Sequence, residues 1–491
     1  MESIGQTHIP GTGKEKILQF GEGNFLRGFV DWMVDITNEK TGFDGSVVIV
    51  QPLDKGLSEM INAQKGMYTT ILRGIQNGKP VDERRTITSV SRCINPYSEY
   101  PTYLDCAKLE QLRFIVSNTT EAGIAYSASD TLADQPPASY PGKITQFLYE
   151  RFRYFQGKAD KGLVVICCEL IDKNATKLHE IVLRLAKEWN LGQEFTTWVE
   201  QSCDFLNSLV DRIVTGYPRD EAKQIESELG YTDNLLDTAE IFHLWVIESQ
   251  KDYSAEFPLT QAGLNVVWTK DMTPYRTQKV RVLNGAHTMT VLAAYLAGLD
   301  TVGQCMDDPV ISTYMKKGIY TEVIPSVHGD RNRLENYAAA VAERFANPYI
   351  KHLLLSISLN SVSKFRTRVL PSLIGYYLDH HRLPAVLTFS LAALIAFYRG
   401  TQIVDGALIG TRGEQTYQIK DDLPVLQQFA NEWKEWDGSA QATLRLVGHV
   451  LGESSWWGSD LREVDGLQYA VASTLESILT LGVRKTMEGL V

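Results

Sequence analysis

Hydrophobic and polar positions follow two alternating rhythms along the first half of the chain. Short apolar runs such as KILQF (16–20), SVVIVQP (46–52) and GLVVICCEL (162–170) have the continuity of strands buried on both faces. Stretches with helical spacing lie between them, including FVDWMVDITNEK (29–40) and KITQFLYERFRYF (143–155). Strands that alternate with helices are typical of βαβ units, so we expect an α/β fold with a doubly wound sheet.

The second half of the chain is patterned differently. FLNSLVDRIVTGYPRD (205–220) is interpreted as a turn-and-support segment, and LNVVWT (264–269) as the last strand. Helical spacing then dominates, in the segments 331–349, 350–360, 370–381, 383–400, 422–436, 441–452 and 467–483. The pattern therefore predicts two domains, a sheet domain over 1–272 and a mostly α-helical domain over 273–491.

One predicted helix, residues 273–299, carries polar side chains in an apolar background. At 100° per residue, Lys279, Asn284 and His287 would fall at roughly 0°, 140° and 80°, an arc within one half of the helix. Each of these groups is costly to bury without a partner, so the three together indicate chemistry more than packing. Gly285 is unfavourable inside a helix unless another chain segment or a ligand approaches the backbone closely.

A glycine-rich turn, FGEGNFLRGF (20–29), joins the first strand to the first helix. Strand, turn and helix in this order offer backbone N–H groups to a phosphate. The fingerprint is imperfect, because Leu26 stands at the third glycine position and Gly28 comes two residues later, so an ordinary turn is an open alternative. The residues expected to contact a cofactor here are Phe20, Gly21, Gly23, Asn24 and Phe25.

Two more loops are expected at the same edge of the sheet, since ligands bind at the carboxyl ends of parallel strands. Asp54 follows the second strand, where an acid binds the adenosine ribose hydroxyls and disfavours a 2′-phosphate. Gln51 competes for this role, Lys55 weakens the case against NADP, and Asp54 as an ordinary loop acid stays open. Thr120 and Glu121 lie in the polar loop after the next buried strand and are expected to face the cofactor.

Composition and charge narrow the class of protein. Hydrophobic residues make up 44 % and charged residues 22 %, as in an ordinary protein with a large apolar core. The net charge of −11 argues against nucleic acid or an anionic membrane as the main partner. An anionic substrate would therefore need a local group of cations. The candidates for substrate binding are Lys364 and Arg366, in the run SKFRTRV that also contains Arg368, and His352, although such a run is usually a solvated face.

Six cysteines show neither a C-x-x-C pair nor the Cys/His spacing of a zinc site. We therefore expect no metal, and reduced thiols in a cytoplasmic protein. The N-terminal segment lacks the apolar core of a signal peptide, and the longest apolar stretch, 383–398, is too short to cross a bilayer. No membrane partner is expected, and the oligomeric state is left open.

The motif K-x-x-x-x-N-x-x-H at Lys279, Asn284 and His287, with FGEGNFLRGF and VDRI, resembles the mannitol dehydrogenase family of polyol-specific long-chain dehydrogenases. CCELIDKN, LVDRIVTGYPRD, KVRVLNGAHT, AGLDTVG, RFANPYIKH and SKFRTRVLP are similar to family members that act on sugar acids. The resemblance implies a Rossmann-like NAD-binding domain followed by a helical substrate domain. It also implies interconversion of the small molecules D-altronate and D-tagaturonate, a hexonate and a hexuronate. Fructuronate reduction, mannitol-type polyol oxidation and a non-catalytic NAD sensor stay open as alternatives.

Oxidation of a secondary alcohol requires removal of a hydride from carbon and of a proton from oxygen. A lysine accepts that proton only when its pKa is lowered from about 10.4. We expect Lys279 to be this general acid/base, Asn284 to donate to the oxygen as it gains charge, and His287 to orient the hydroxyl. The resemblance adds Asn174 as a second amide donor.

Overall fold

The computed structural model describes residues 1–491, and contacts within it divide the chain into two units. Unit 1 contains Met1–Gly74 and Lys79–Met272. Unit 2 contains Ile75–Gly78 and Thr273–Val491. The short segment Ile75–Gly78 is the tip of a hairpin whose turn residues, Asn77 and Gly78, both have positive φ.

An eight-stranded sheet dominates unit 1. The strands of this unit are β1 (Lys14–Phe20), β2 (Gly45–Val50), β3 (Tyr68–Gln76), β4 (Lys79–Ile87), β5 (Val90–Ile94), β6 (Phe114–Ser117), β7 (Val164–Cys167), β8 (Asp204–Asp211), β9 (Val214–Gly216), β10 (Asp237–Glu240), β11 (Leu244–Glu248) and β12 (Val266–Thr269). The large sheet has the order β12–β11–β8–β7–β6–β1–β2–β5 and is parallel except where β11 meets β8. A smaller sheet has the order β4–β3–β10–β9.

Helices flank the large sheet, as the apolar strands require. They are α1 (Ile4–Thr7), α2 (Asn24–Leu26), α3 (Trp32–Thr41), α4 (Ser58–Ala63), α5 (Tyr100–Asp105), α6 (Tyr140–Tyr154), α7 (Asn174–Glu188), α8 (Gln193–Ser202) and α9 (Ala222–Leu229), with a π turn at Arg27–Asp31 and 3₁₀ turns at Cys106–Lys108 and Ala159–Lys161. Successive residues of β2 point into different apolar cores, Val47 and Ile49 into one and Val48 and Val50 into the other. Both faces are thus buried, and the predicted doubly wound α/β sheet is confirmed.

Unit 2 is built mainly of helices. They are α10 (Thr273–Gln278), α11 (Gly285–Leu296), α12 (Val302–Asp307), α13 (Pro309–Lys317), α14 (Arg331–Phe345), α15 (Leu354–Ile357), α16 (Ser361–Arg368), α17 (Leu370–His380), α18 (Ala385–Phe397), α19 (Leu423–Glu435), α20 (Ala440–Gly452), α21 (Ser454–Trp457), α22 (Leu467–Leu481) and α23 (Val483–Glu488), with π turns at Lys279–Asn284 and Gly318–Val323 and 3₁₀ turns at Ile324–Ser326 and Leu461–Glu463. The apolar helix α18 is buried along almost its whole length and packs against α11 and α22. No helix of the chain has the length and apolar character needed to cross a membrane.

Several parts of the secondary structure differ from the sequence-based expectation. The segment interpreted as turn-and-support contains a strand of the large sheet, β8, and its antiparallel neighbour β11 was not predicted. The helix expected over 350–360 is only one turn, α15. Unit 2 also contains three antiparallel strands, β13 (Ile403–Val404), β14 (Ala407–Arg412) and β15 (Gln415–Ile419). The first turn of this small sheet is Asp405–Gly406, with both residues at positive φ, as a two-residue hairpin turn requires.

Candidate functional site

The glycine turn of unit 1 crosses the carboxyl ends of β1, β2 and β6. Gly21 has φ of +124°, and a Cβ there would lie 2.9 Å from the carbonyl oxygen of Asn118, so only glycine fits. Its backbone N–H donates to the carbonyl of Val50 over 3.1 Å. Gly23 is different, because a Cβ on it would meet nothing within 4 Å. Gly23 precedes the helical segment that runs from α2 through the π turn into α3, and the start of that segment is exposed.

A buried arginine, Arg27, holds the glycine turn in place. Its guanidinium donates to the carbonyl of Glu22 over 3.2 Å, to Oδ1 of Asn24 over 2.6 Å and to the carbonyl of Leu235 over 2.7 Å. Asn24 is exposed, but its side-chain oxygen already accepts the hydrogen bond from Arg27. The turn is fixed by a side chain that sequence reasoning did not single out.

The two aromatic residues of the turn are placed differently. Phe20 is fully buried and packs against Tyr103 and Tyr140, so its side chain belongs to the core. Phe25 is half-buried and stacks on Phe29 with ring centroids 5.0 Å apart.

Gly28 packs against the small sheet and not against the parallel strands. A Cβ on Gly28 would lie 2.9 Å from Oδ2 of Asp237 and 3.2 Å from Val214. Leu26, at the third fingerprint position, is buried in the core. The fingerprint is therefore imperfect because Gly28 allows the helix to pack closely against the four-stranded sheet.

Two buried acids lie beneath this turn. Oδ2 of Asp31 accepts hydrogen bonds from Tyr68 over 3.0 Å and from Gln19 over 3.4 Å, while its Oδ1 has no partner. Both oxygens of Asp237 also have no partner. Burial raises the pKa of each carboxyl to about 7, with the charge of Arg27 opposing the shift.

In the loop after β2, the two candidates for binding the cofactor ribose, Gln51 and Asp54, differ in burial. The Gln51 amide is buried and occupied, since it donates to the carbonyls of Leu53 and Asp54 and accepts from the backbone of Ser58. Asp54 is exposed at the end of this loop. Gln51 therefore shapes the loop, and the arrangement leaves the Asp54 carboxylate open to a ligand.

A buried glutamate, Glu169, positions the loop after β6. Its carboxylate accepts from the hydroxyls of Ser117 and Thr119 and from the backbone of Thr119, all at 3.0 Å. The next residue, Thr120, has φ of +76°, a strained conformation for a β-branched residue and one found most often at functional sites. Thr120 and Glu121 are both exposed.

Asn174, at the start of α7, has every hydrogen-bonding position filled. Its Nδ2 lies 2.9 to 3.1 Å from the carbonyls of Cys167, Glu169 and Ser208. Its Oδ1 accepts from the backbone N–H groups of Ala175 and Ser208. The side chain is 1 % exposed, so the structure differs from the expectation of an amide donor to substrate. Asn174 instead joins the carboxyl end of β7 to Ser208 in the middle of β8.

The polar helix of unit 2 contains a π turn between two of its expected functional residues. Lys279 is the first residue of this turn and Asn284 the last. The N–H of Gly285 reaches the carbonyl of Val280, five residues earlier. The angles expected for a regular α-helix therefore do not apply, because each residue of a π turn rotates by less than 100° and the angle between Lys279 and Asn284 is smaller than expected. Such single π turns occur frequently at functional sites.

Gly285 allows a close approach from a neighbouring helix. A Cβ on Gly285 would lie 3.1 Å from the carbonyl oxygen of Arg368, the last residue of α16. The end of α16 thus packs against the residue next to Asn284, two positions before His287.

His287 lies in a group of aromatic and cationic side chains. Its ring stacks on Phe345 at 4.1 Å between centroids and meets His352 edge-on at 5.3 Å. Its Nε2 is buried without a hydrogen-bond partner. Burial is the largest cause of a His287 pKa well below the usual value. The charges that lower this pKa further belong to His352, Arg344, Arg368 and Lys364.

The three cations of the run SKFRTRV lie on two different faces of a helix. Because α16 is helical, Lys364 and Arg368 are four residues apart on one face, near His287. Arg366 is exposed and lies against Gly458, where a Cβ would be 3.0 Å from its guanidinium. Lys364 and His352 therefore lie with His287, whereas Arg366 does not.

Several residues in these sites were not expected to be functional. In unit 1 they are Arg27 and Glu169; in unit 2 they are Arg344 and Arg368. Glu169 could have been found from its position just after a buried strand. Arg368 could have been found by interpreting SKFRTRV as a helix, because it stands one helical turn after Lys364. The structure brings no three His, Cys, Asp or Glu side chains together as a metal-ion site.

Comparison with known proteins covers both units. The mannitol dehydrogenase Rossmann domain model matches residues 15–261, and the mannitol dehydrogenase C-terminal domain model matches residues 271–479. Altronate oxidoreductases of Escherichia coli O6:K15:H31 and of Shigella flexneri are each 47 % identical to this chain over 492 residues and cover 100 % of both chains.

Two solved structures share the fold. Substrate-free D-sorbitol dehydrogenase has a TM-score of 0.78 at 22 % identity and covers 97 % of this chain and 95 % of its own. Pseudomonas fluorescens mannitol 2-dehydrogenase, solved as a ternary complex with NAD and D-mannitol, has a TM-score of 0.67 at 21 % identity and covers 98 % of this chain and 95 % of its own.

Proposed function

The chain belongs to the mannitol dehydrogenase family, and on this premise we propose that it is an NAD-dependent oxidoreductase that interconverts D-altronate and D-tagaturonate. The full-length identity to altronate oxidoreductases supports this substrate pair within the family. The structural observation that carries the proposal is the group around His287, where Lys364 and Arg368 lie beside a neutral imidazole and no carboxylate raises the pKa of Arg368. Such a group suits an anionic sugar acid better than a neutral polyol.

The residues at the sheet edge of unit 1 fit NAD. The open space at Gly23 leaves backbone N–H groups at the start of a helix available to a pyrophosphate. Asp54 is suited to the ribose hydroxyls and would repel a 2′-phosphate, which favours NAD over NADP. The strained Thr120 and the exposed Glu121 follow β6 at the same edge. Bound NAD would supply the hydride acceptor for the alcohol carbon.

Proton transfer is assigned to Lys279. In altronate oxidation the neutral amine accepts the hydroxyl proton, and in tagaturonate reduction the ammonium returns a proton to the ketone oxygen. Asn284, at the other end of the π turn, donates its amide N–H to the same oxygen as negative charge develops. The neutral His287, with an unpartnered Nε2, orients a substrate hydroxyl. Lys364 and His352 line the substrate site, and Arg366 is left out of it.

Asn174 and Glu169 act one step removed from the reactants. Their hydrogen bonds to the backbone just after β6, at the end of β7 and within β8 hold the loops that we propose receive the cofactor. Asn174 is therefore a positioning residue and not a donor to the reacting oxygen. We also assign the protein to the cytoplasm, because its six cysteines are free thiols in buried positions.

The proposal is tested by following NADH oxidation with D-tagaturonate, D-fructuronate and D-fructose at equal concentrations. We expect kcat/KM to be highest with tagaturonate by at least about tenfold, a difference of about 1.4 kcal/mol. A preference for fructuronate or fructose would reassign the substrate. Saturable NADH binding without turnover of any of the three would instead indicate a sensor.

A further inference from the structure

One guanidinium in unit 2 lies beside the polar helix and has no role in the mechanism so far. Arg368 ends α16, and its carbonyl oxygen approaches Gly285 so closely that a Cβ there would be 3.1 Å away. This contact, at Gly285, fixes the Arg368 backbone one residue from Asn284 and two residues from His287 along the polar helix. The position of Arg368 is thus set by main-chain packing and not by a flexible loop.

The guanidinium of Arg368 is half-buried and not balanced by an acid. Burial alone lowers its pKa, with no carboxylate raising it. It is close enough to His287 for its charge to lower the pKa of that imidazole. A half-buried cation without a counter-charge is costly for a fold to keep, unless an anionic ligand completes it.

The neighbouring cations are less suited to this role. Lys364, on the same face of α16, already donates from Nζ to the carbonyl of Ile357 over 2.9 Å. Arg366 points to the other side of the helix, against Gly458. A guanidinium also offers two parallel N–H donors that match the two oxygens of a carboxylate, whereas an ammonium acts as a point charge.

We propose that Arg368 binds the carboxylate of the substrate and is the residue that makes this site select sugar acids over neutral ketoses and polyols. The inference rests on the proposed function and deepens it. Lys364 contributes a second positive charge beside the same carboxylate. Asn284 and His287, on the adjoining face of the polar helix, are then left for the hydroxyl groups of the sugar chain.

The test compares Arg368→Gln and Arg368→Lys with Arg366→Gln as the matched control on the same helix. For Arg368→Gln we expect KM for tagaturonate to rise about 100-fold, with reduction of fructose unchanged or faster. Arg368→Lys should recover part of the loss, because it restores charge without the paired donors. Arg366→Gln should behave as the wild type, and the Kd for NADH should be unchanged in all three variants.

The outcomes separate the inference from the proposed function. If the wild type prefers fructuronate, the proposed substrate is wrong, and the same variants test Arg368 on fructuronate. If the wild type turns over a hexuronate and Arg368→Gln keeps the wild-type KM for it, the inference alone is overturned. Equal losses with the hexuronate and with fructose would also overturn it, because they indicate a structural role. A wild type that reduces no hexuronate would overturn both.

Folding is checked separately from binding. Thermal unfolding of each variant gives its Tm, and titration calorimetry of D-altronate into NADH-loaded enzyme gives a Kd without turnover. We expect this Kd to rise about 100-fold in Arg368→Gln at an unreduced Tm. A folded Arg368→Gln variant that binds altronate as the wild type does would contradict the assignment.

Discussion

The sheet edge of unit 1 and the surroundings of the polar helix of unit 2 differ in whether their buried polar side chains have hydrogen-bond partners. At the sheet edge, Gln51, Glu169 and Asn174 are buried and make several hydrogen bonds each, mostly to backbone groups. On the polar helix, His287 keeps a buried nitrogen without a partner. Arg368, at the end of the neighbouring helix α16, keeps a half-buried charge without an acid.

The difference separates two ways of building a ligand site. In unit 1 the side chains hold loops, and the backbone and Asp54 are left accessible where we propose that the cofactor binds. In unit 2 the side chains themselves are left without partners, and their unmet hydrogen-bonding capacity costs stability. Substitutions in unit 1 should therefore change stability and cofactor binding, whereas those in unit 2 should change turnover and substrate binding.

The largest effect is expected for Lys279→Ala. Loss of the proton acceptor should lower kcat by about 10²–10⁴-fold, while the Kd for NADH stays near the wild-type value. Steady-state kinetics and NADH fluorescence titration measure the two quantities. The control is Lys270→Ala, which removes an exposed lysine nearby in the sequence. Near-wild-type turnover by Lys279→Ala would remove the proposed mechanism.

Asn174→Ala tests whether the saturated polar side chains of unit 1 contribute to stability. It leaves buried carbonyls and N–H groups at β7 and β8 without a partner, so the free energy of unfolding should fall by about 2–3 kcal/mol. The Kd for NADH should rise because the loops are no longer fixed. Urea unfolding of this variant is compared with Asn431→Ala, an exposed position on α19. A stable Asn174→Ala variant with lost turnover would assign Asn174 a direct catalytic role.

Gly23→Ala separates a functional glycine from a structural one. Because a Cβ there meets no atom of the chain and φ is −67°, the Tm should not fall. The added methyl should occupy space needed by the pyrophosphate and raise the Kd for NADH by about 10-fold or more. Gly303→Ala, at an open helical position of unit 2, serves as the control and should be slightly stabilising. Unchanged NADH affinity in Gly23→Ala would place the cofactor elsewhere.

The smallest effect concerns pH and Asp31. Burial raises its pKa from the ordinary 3.8 to about 7, so the folded state holds the proton to a higher pH than the unfolded chain. Stability is therefore greatest at low pH for this group and is lost between about pH 4 and 7. Asp31→Asn removes the charge, and its Tm relative to wild type should be higher at pH 8.5 than at pH 5.5 by about 2–4 °C. Glu83→Gln, at an exposed position of β4, should show no such dependence.

The fold class could be predicted because strands buried on both faces leave unbroken apolar runs, as in β2 and β7. β8 could not be predicted, since only half of its positions are buried and its sequence includes Asp204 and Asn207. β13–β15 were missed even though Asp405–Gly406 is a strong hairpin signal, because the surrounding helices dominated the interpretation.

Parts of the candidate sites were beyond sequence reasoning for a physical reason. The saturation of Asn174 depends on backbone groups from β7, β8 and the loop between them, which no spacing in the chain reveals. The proximity of Arg368 to His287 depends on the packing of α16 against Gly285. Sequence patterns identified the residue types needed for the chemistry, but the partners of each residue are set by tertiary structure.

The π turn at Lys279–Asn284 is equivalent to one extra residue inserted into an α-helix. Deleting one residue within the turn would return the segment to ordinary α geometry, with Lys279 and Asn284 four positions apart and therefore still neighbours on one face. Inserting one residue would instead rotate His287 by about 100° about the helix axis relative to Lys279, away from Phe345 and His352. The segment therefore tolerates a shorter turn better than a longer one.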